Sequence, residues 1–467
     1  MNLKDLDIKE FPHPLPLKKL IGPSFIILGT GLGSGELILW PYLSANFGLG
    51  IIWAAILGIT FQFFINMEIE RYTLATGESI FVGLARKFGR FTPYWFIAST
   101  LVPWMWPGII ASSATVISKV LGFNYSGYVG IALLVIIGIL FSSGHIIYKT
   151  QEKVQKTIII IGIPFIFLLT LFLTNRQDWQ ALGSGIVGLG DGFWFLPQGL
   201  PLATFLAALA YAGAGGNLNL AQSLYTKEKG YGMAKFSGRI TNVLRGKAEN
   251  IKLEGTTFDY TQENLARFRL WWKRINIEHG IIFWLTGAFT MLLLSLLAYS
   301  TVFHNTGIET SINFVIHESK IIASQTVPFL GTFFLILAGV MLFGTQFSVY
   351  GSNSRIASEN LVISNSSRFA ITNLPKYFYL FLWVQILAGV AVFALGFTEP
   401  LELVVVGAVM NAFSMFIYSG LILILNMTLL GKPLRPSKFR IVMVSSAFLF
   451  YGCFSLFTLF QSLQKLL

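Results

Sequence analysis

The fold is decided by a stretch that reads Gly29-Thr30-Gly31-Leu32-Gly33-Ser34-Gly35-Glu36 and is followed closely by Pro41. It lies inside the first apolar run, residues 20–44, which is long enough to cross a bilayer as a helix. Alternating glycines disfavour a helix interior, so the pattern predicts a break in that helix. Hydrocarbon tolerates a break only where the freed backbone groups face protein or a watery cavity. The pattern therefore predicts that this stretch forms one half of a binding site.

Glu36 is the single charged residue of this run. A carboxyl at that depth costs about 2.5 kcal/mol or more on insertion scales, which makes it a candidate functional group by default. The composition places the whole chain in the membrane class, because 54% of its residues are apolar and 12% are charged. Soluble proteins carry about 25% charged residues.

Eleven apolar runs, each long enough to span a bilayer, follow one another along the chain. They cover residues 20–44, 48–70, 93–118, 128–144, 157–174, 198–225, 277–300, 327–350, 377–396, 401–427 and 441–463. A cytoplasmic N-terminus places 29 Lys and Arg residues inside and four outside, as the positive-inside rule requires. The net charge of +12 therefore reflects the basic residues of the cytoplasmic segments, and we expect no nucleic-acid partner. We expect an integral multi-pass protein of a bacterial inner or plasma membrane.

Run six contains a second interruption, Ala210-Tyr211-Ala212-Gly213-Ala214-Gly215-Gly216-Asn217. Paired interruptions at corresponding positions of two halves are typical of the central site of a secondary transporter. Each of the two units contains five spans, and an odd number forces the second unit to enter the membrane from the opposite side. The pattern therefore predicts an inverted repeat. The alternative is that the glycines merely allow close helix packing.

This pattern divides the chain into a cytoplasmic tail, two repeats and an extra helix. The tail is 1–19, the first five-helix repeat 20–174, the second 198–427, and the extra helix 441–463. A basic cytoplasmic loop, 226–276, holds a predicted interfacial helix near 264–274. Pro103 and Pro107 are expected to kink run three, and residues 149–156 form a predicted basic turn. His145 is expected at the membrane interface.

The motif Gly22-Pro23-Ser24-Phe25, both breaks, and Asn217-Leu218 after the second break resemble the Nramp family of divalent-metal transporters. The resemblance covers nearly the whole chain. It implies a LeuT-like all-α membrane fold with eleven transmembrane helices, in which helices 1 and 6 are broken, and a transporter rather than an enzyme. Members usually carry Mn²⁺ or Fe²⁺ with protons by alternating access. Their broken helices typically read Asp-Pro-Gly-Asn and Met-Pro-His-Asn.

This sequence departs from both motifs of the family. Gly33 stands at the metal-binding Asp position, Glu36 at the Asn position, Ala214 at the Met position and Gly216 at the His position. Without a thioether the site should favour a harder ion such as Mn²⁺ or Mg²⁺. The centre of run three carries no charge, so the family's proton-transfer chain has no counterpart there.

The predicted site lies between runs one and six. Its substrate-binding residues are Gly33, Ser34, Glu36, Ala214, Gly215 and Asn217. A metal ion would be held by Glu36, the side-chain oxygen of Asn217, and the carbonyls of Gly33 and Ala214. Further candidates for lining the site are Gln62, Asn66, Tyr211, Gln346 and Asn411. We expect no cofactor, and a monomer is compatible with this site.

Three alternatives stay open. The same scaffold could carry an amino-acid-like or anionic solute, bound by backbone N–H groups without metal. A channel would need rings of charge or a filter-like repeat, and neither pattern is present in the sequence. An enzyme would need a nucleophile beside a base or a cluster of metal ligands, which the sequence also lacks.

Overall fold

The structure is a computed structural model that describes residues 5–20, 22–123, 126–143, 147–190, 192–237, 252–303 and 311–464. Within these ranges, ten helices are long and apolar enough to cross a membrane. An eleventh segment, α6, is interrupted. The helices are α1 (Pro23–Phe47), α2 (Leu49–Thr76), α3 (Thr92–Leu121), α4 (Ser126–Ser143), α5 (Ile147–Leu173), α6a (Leu202–Ala210), α6b (Ala221–Lys229), α7 (Gln262–Phe303), α8 (Pro328–Ser364), α9 (Ile371–Ala394), α10 (Pro400–Leu429) and α11 (Lys438–Gln464).

The centre of the bundle is α1, whose most apolar window is 94% buried, against 28% for α4 at the periphery. It packs against α5, α6, α7 and α8. Its small residues explain this position, because glycine lets neighbouring backbones approach closely. The candidate site of α1 therefore lies inside protein and away from lipid.

The predicted break in α1 is wrong. Residues 32–39 form a π-helix between two α-helical stretches, Pro23–Gly31 and Trp40–Phe47, and the chain stays helical throughout. The Trp40 N–H donates to the Gly35 carbonyl, five residues back. The wider π-helical turn accommodates the glycines and the absence of an N–H at Pro41, and most backbone groups stay hydrogen-bonded along the helix. Unwinding is therefore unnecessary.

The predicted interruption of α6 is confirmed. The helix Leu202–Ala210 ends, residues 211–215 are irregular, and a 3₁₀ turn, Gly216–Leu220, leads into α6b. Gly215 and Gly216 have φ angles of 75° and 52°. These left-handed conformations favour glycine over any residue with a Cβ.

Several helices extend beyond the apolar runs that predicted them. The helix α5 begins at Ile147, so residues 149–156 are helical and the predicted turn is wrong. The helix α8 continues to Ser364, well past residue 350. Polar side chains in these extensions are buried and paired across helices, as Gln151 is with Arg355 at 2.7 Å. A prediction from apolarity alone stops too early there.

The kink in α3 is confirmed, since its α-helical halves are Thr92–Trp104 and Gly108–Leu121. Three further helices, which the sequence did not predict, connect the spans. They are Ile80–Phe88, Arg176–Ile186 and Asn313–Gln325.

The tail and the long loop meet on one side of the bundle, which we call the basic side because the predicted cytoplasmic segments lie there. Strand β1 (Asp7–Ile8) pairs in parallel with β2 (Thr256–Thr257). The predicted interfacial helix is present as Gln262–His279, and it continues without a gap into the rest of α7. Loop residues 238–251, tail residues 1–4 and His145 lie outside the described residues.

Candidate functional site

One face of α1 contacts the interruption of α6 backbone to backbone. A Cβ added to Gly31 would lie 2.5 Å from the Gly213 carbonyl oxygen, and one added to Gly35 would lie 1.7 Å from that of Tyr211. The two glycines are four residues apart and share a helix face. The two segments that the sequence singled out therefore face each other.

A second face of α1 contacts α8. The Gly33 N–H donates to Thr345 Oγ1 at 2.8 Å, and that hydroxyl donates to the Gly29 carbonyl at 2.9 Å. A hydroxyl from α8 thus replaces part of the helical hydrogen bonding at the start of the π-helical segment. Gly33 therefore lies at the α1–α8 contact.

Glu36 lies on a third face of α1, towards α2 and α7. Its side chain is fully buried, and neither carboxylate oxygen has a hydrogen-bond partner within the part of the chain that the structure describes. A Cβ added to Gly287 of α7 would lie 3.4 Å from Glu36 Oε1 and 2.6 Å from Ile59 of α2. An acidic group in this apolar enclosure is costly unless a proton or a cation accompanies it.

The interruption of α6 is stabilised by side chains from other helices. Gln62 of α2 accepts from the Gly215 N–H at 3.2 Å and donates to the Ala210 carbonyl at 3.0 Å. Tyr418 of α10 donates to the Gly216 carbonyl at 2.9 Å. The freed backbone groups are thereby partly paired, which explains how irregular backbone persists inside the membrane.

Asn217 lies beside a polar cluster on α3 and α10. Its Nδ2 donates to Ser99 Oγ at 2.8 Å and to Thr100 Oγ1 at 2.9 Å. Tyr211 accepts from Asn411 Nδ2 at 2.9 Å, and its ring stacks on Trp104 with centroids 5.2 Å apart. The cluster joins the interruption to the helix that carries the predicted kink.

The other predicted residues are buried but do not converge on a single point. Ser34 donates to the Gly31 carbonyl of its own helix, and Asn66 Nδ2 lies 3.4 Å from His279 Nε2. Ala214 lies within the interruption, and Gln346 follows Thr345 on α8.

Three of the four predicted metal ligands belong to different contacts in this structure. Gly33 faces α8, Glu36 faces α2 and α7, and Asn217 faces α3. Among the described residues no group of three or more His, Cys, Asp or Glu side chains is placed to hold a metal ion. Their joint binding of an ion remains a prediction that requires movement of the helices.

Sequence reasoning missed Ser99, Thr100 and Thr345. A signal was present for the first two, since adjacent hydroxyl residues stand in the middle of an apolar run. Thr345 gave no such signal, because a threonine within a helix commonly bonds to its own backbone. Its two hydrogen bonds to α1 depend on how α8 packs against α1.

Unpaired polar atoms at the site are mainly acceptors. Buried oxygens without a partner in the described chain include both of Glu36 and the Oδ1 atoms of Asn217, Asn219 and Asn411. Unpaired donors nearby include the indole N–H groups of Trp40 and Trp104 and the hydroxyl of Tyr451 beside Gln62. An excess of acceptors suits a cation or a ligand rich in hydrogen-bond donors.

The fold, with its interrupted α6, is similar to the LeuT-like membrane transporter fold seen in Nramp proteins, which confirms the predicted likeness to these proteins in fold. The Eremococcus coleocola manganese transporter has this fold. One mutant of it superposes with a TM-score of 0.71 at 10% identity, covering 97% of this chain and 90% of that chain. A second mutant gives 0.70 at 11% identity with the same coverage.

A further structure with this fold is Mhp1, a nucleobase-cation-symport-1 family transporter, in a closed conformation with bromovinylhydantoin bound. Its TM-score is 0.57 at 12% identity, covering 92% of this chain and 83% of that chain. No family model and no curated protein sequence matches the chain. At these identities the likeness concerns the fold.

Proposed function

We propose that this protein is a secondary transporter that carries a small cation, with a hydrated divalent ion such as Mn²⁺ or Mg²⁺ as the best-fitting substrate. The observation that carries the proposal is the buried, unpaired carboxyl of Glu36 on the central helix. A negative charge enclosed by apolar side chains is stabilised when a cation reaches it.

The chemistry of the neighbouring groups supports a hard ion. Asn217 and Asn411 offer amide oxygens, and the segment 211–217 has no methionine that would favour a soft metal. A hydrated ion would donate hydrogen bonds from its waters to these oxygens. Carboxylate, amide and water together form the ligand set that Mg²⁺ and Mn²⁺ accept.

The site is closed in this structure, since Glu36, Asn217 and Ala214 are all fully buried. A substrate therefore enters only after helices move, which is what alternating access requires. The interruption of α6 is the natural place for such movement, because irregular backbone absorbs rotation more readily than an intact helix.

Uptake into proteoliposomes tests this proposal. Mn²⁺, Mg²⁺ and Ca²⁺ are offered separately to vesicles carrying the wild type, Glu36→Gln or Glu318→Gln. Glu36→Gln removes the charge and keeps the shape, so cation uptake should fall by about tenfold or more, equivalent to about 1.4 kcal/mol. Glu318 is a buried carboxyl on the connecting helix Asn313–Gln325, and its variant serves as the matched control. Unchanged cation affinity in Glu36→Gln would refute the assignment.

A second candidate is a small organic solute. The stacked pair of Tyr211 and Trp104 beside the interruption offers an aromatic surface, and the Mhp1 structure holds a ring compound on the same fold. A planar solute would stack there and contact the amides of Asn217 and Asn411. Uptake of a radiolabelled hydantoin or amino acid, without uptake of any cation and abolished by Tyr211→Ala, would favour this candidate.

A further inference from the structure

A line of hydrogen-bonding side chains crosses from α7 through α1 to α2 near the basic side. Ser24 Oγ of α1 lies 2.6 Å from Glu278 Oε2 and 2.8 Å from His279 Nδ1, both on α7. At the other edge of the imidazole ring, His279 Nε2 lies 3.4 Å from Asn66 Nδ2 of α2. None of these four side chains is more than 6% exposed. They therefore form a continuous polar line inside the protein.

The protons of this line are determined by the single hydroxyl in its middle. Ser24 has one hydroxyl proton, so it can donate to only one of its two partners. An ionised Glu278 can only accept, so Ser24 then donates to it and accepts from an N–H at His279 Nδ1. His279 Nε2 is left with a lone pair, which accepts from Asn66 Nδ2. The imidazole is neutral in this arrangement.

The same line can also run in the opposite direction. A protonated Glu278 donates to Ser24, Ser24 donates to a lone pair on His279 Nδ1, and the ring proton lies on Nε2. Asn66 accepts from that N–H after rotation of its amide, through an Oδ1 that has no partner in the described chain. The reversed line holds one proton more than the first and carries no net charge.

We infer that Glu278, Ser24 and His279 form a relay that transfers one proton between the basic side and the interior of the bundle. A proton that arrives at His279 Nε2 releases the Nδ1 proton to Ser24 Oγ, and Ser24 releases its own proton to Glu278 Oε2. Each middle atom that loses a proton receives another, so only the two ends change. The ring stays neutral before and after the transfer, as its position between Phe63 and Phe283 favours.

The outer end of the relay lies at the start of α1. Glu278 is beside the backbone of Gly22, and its Oε1 has no hydrogen-bond partner in the part of the chain that the structure describes. A Cβ added to Gly22 would lie 2.9 Å from both Glu152 Oε1 of α5 and Lys229 Nζ of α6b. The side chains of Glu152 and Lys229 are 13% and 25% exposed, so this end lies close to solvent on the basic side.

The groups around Glu278 act on its charge in opposite directions. Glu70 of α2 repels a charge on Glu278, whereas Lys229 attracts it. The positive end of the α1 dipole also favours the ionised carboxyl. Two further titratable groups interact with Glu278, namely Tyr148 of α5 and Tyr231 after α6b. Because these effects oppose each other, Glu278 can be ionised or neutral, as a relay requires.

The inner end of the relay lies one helical turn from the interruption of α6. Asn66 is four residues from Gln62 on α2, whose side chain makes two hydrogen bonds to the backbone of the interruption. Phe283, one turn beyond His279 on α7, would lie 2.7 Å from a Cβ at Gly213. The ring of Phe283 thus lies between His279 and the interruption. A proton at His279 therefore reaches the site only when these helices move.

Nitrogen-15 NMR of the full-length protein in lipid bilayers tests the relay without any substrate. The chain has five histidines, and the signals of His279 are those that disappear in His279→Gln. We expect the Nδ1–H tautomer of His279 at alkaline pH and the Nε2–H tautomer at acidic pH. An infrared band of a protonated carboxyl should appear in parallel, and Glu278→Gln should lack it.

Ser24→Ala removes the hydroxyl and keeps both titratable groups. Glu278 should still gain its proton at acidic pH, but His279 should no longer change tautomer with it. Exchange of the His279 ring proton with water should slow about a hundredfold, the typical contribution of one positioned proton-transfer group. Glu278→Gln should hold His279 in one tautomer at every pH.

Ser44→Ala is the matched control, because Ser44 is another fully buried serine of α1, and it should behave as the wild type does. A tautomer change that survives in Ser24→Ala would overturn the inference. His279 protonated on both nitrogens while Glu278 stays ionised would also overturn it, since the proton would then stop at the ring. These outcomes do not depend on which ion or solute the protein carries, so they are separate from the test of the proposed function.

Discussion

The glycines of α1 determine how close its neighbours come. Gly31 and Gly35 admit the backbone of the α6 interruption, while Gly33 admits Thr345 and Leu342 of α8. None of these three positions has room for even one methyl group. These residues therefore fix the position of the helix that carries Glu36.

Gly35→Ala tests this role. The new Cβ would lie 1.7 Å from the Tyr211 carbonyl oxygen, so α1 and α6 must separate. We expect a loss of about 1 to 3 kcal/mol in unfolding free energy, as for other overpacked cores. Thermal unfolding of the purified protein in detergent measures it.

The control for this experiment is Gly183→Ala in the helix Arg176–Ile186. A Cβ at Gly183 would meet no atom within 4 Å, so the variant should be neutral or slightly stabilising. A Gly35→Ala melting temperature equal to that of Gly183→Ala would contradict the packing role assigned to Gly35.

At the scale of elements, the N-terminal tail is attached to the interfacial part of α7. Phe11 is fully buried, with ring centroids 4.6 Å from Phe258 and 5.7 Å from Phe268. The Trp271 indole donates to the Pro12 carbonyl at 3.0 Å, and Arg274 donates to that of Leu15 at 2.6 Å. The tail leads into α1, so this attachment restrains movement of α1 relative to α7.

Phe11→Ala should release the tail, because removal of a buried phenylalanine typically costs about 3 to 5 kcal/mol. Amide hydrogen exchange within residues 5–20 should then rise towards that of an unfolded peptide, while the core of α1 stays protected. Ile8→Ala, at a side chain 65% exposed, is the control and should leave exchange unchanged. Equal protection in both variants would mean that Phe11 does not hold the tail.

Sequence patterns located most of the elements. The apolar runs placed the spans, and the pair Pro103 and Pro107 placed the kink of α3, because proline disrupts a helix locally. They did not distinguish an unwound segment from a π-helix in α1, since both accommodate glycine. The choice depends on partners such as Thr345, which lies more than 300 residues away along the chain.

At the scale of the whole molecule, buried ion pairs join α6b to α8 on the basic side, and a hydrogen bond joins α8 to α5. Arg355 is fully buried and lies 2.8 Å from Glu228 and 2.7 Å from Gln151. Lys227 lies 3.6 Å from Glu359. If the proposed opening of the site is towards this side, it would separate these charges, so the pairs would stabilise the closed form.

A double-mutant cycle at Arg355 and Glu228 tests this closure. Arg355→Met removes the arginine that pairs with the buried Glu228 carboxylate, so it should lower the free energy of unfolding by about 3 to 5 kcal/mol. The double variant Arg355→Met with Glu228→Gln should lower it markedly less. Thermal unfolding of the two single variants and the double variant provides the coupling energy. The pair of Arg267 and Glu263, in which the Glu263 side chain is 71% exposed, is the control and is expected to couple by about 1 kcal/mol or less. Additive effects at Arg355 and Glu228 would contradict the closure.

The sequence by itself determined the membrane class, the approximate positions of the spans, the interruption of α6 and the candidacy of Glu36, because hydropathy, glycine content and an unpaired charge are local properties. The tertiary structure decided that α1 stays helical, that Gln62 and Tyr418 pair the freed backbone of α6, and that Glu36 and Asn217 face different helices in the closed form. These features depend on contacts between residues far apart along the chain, which local patterns do not encode.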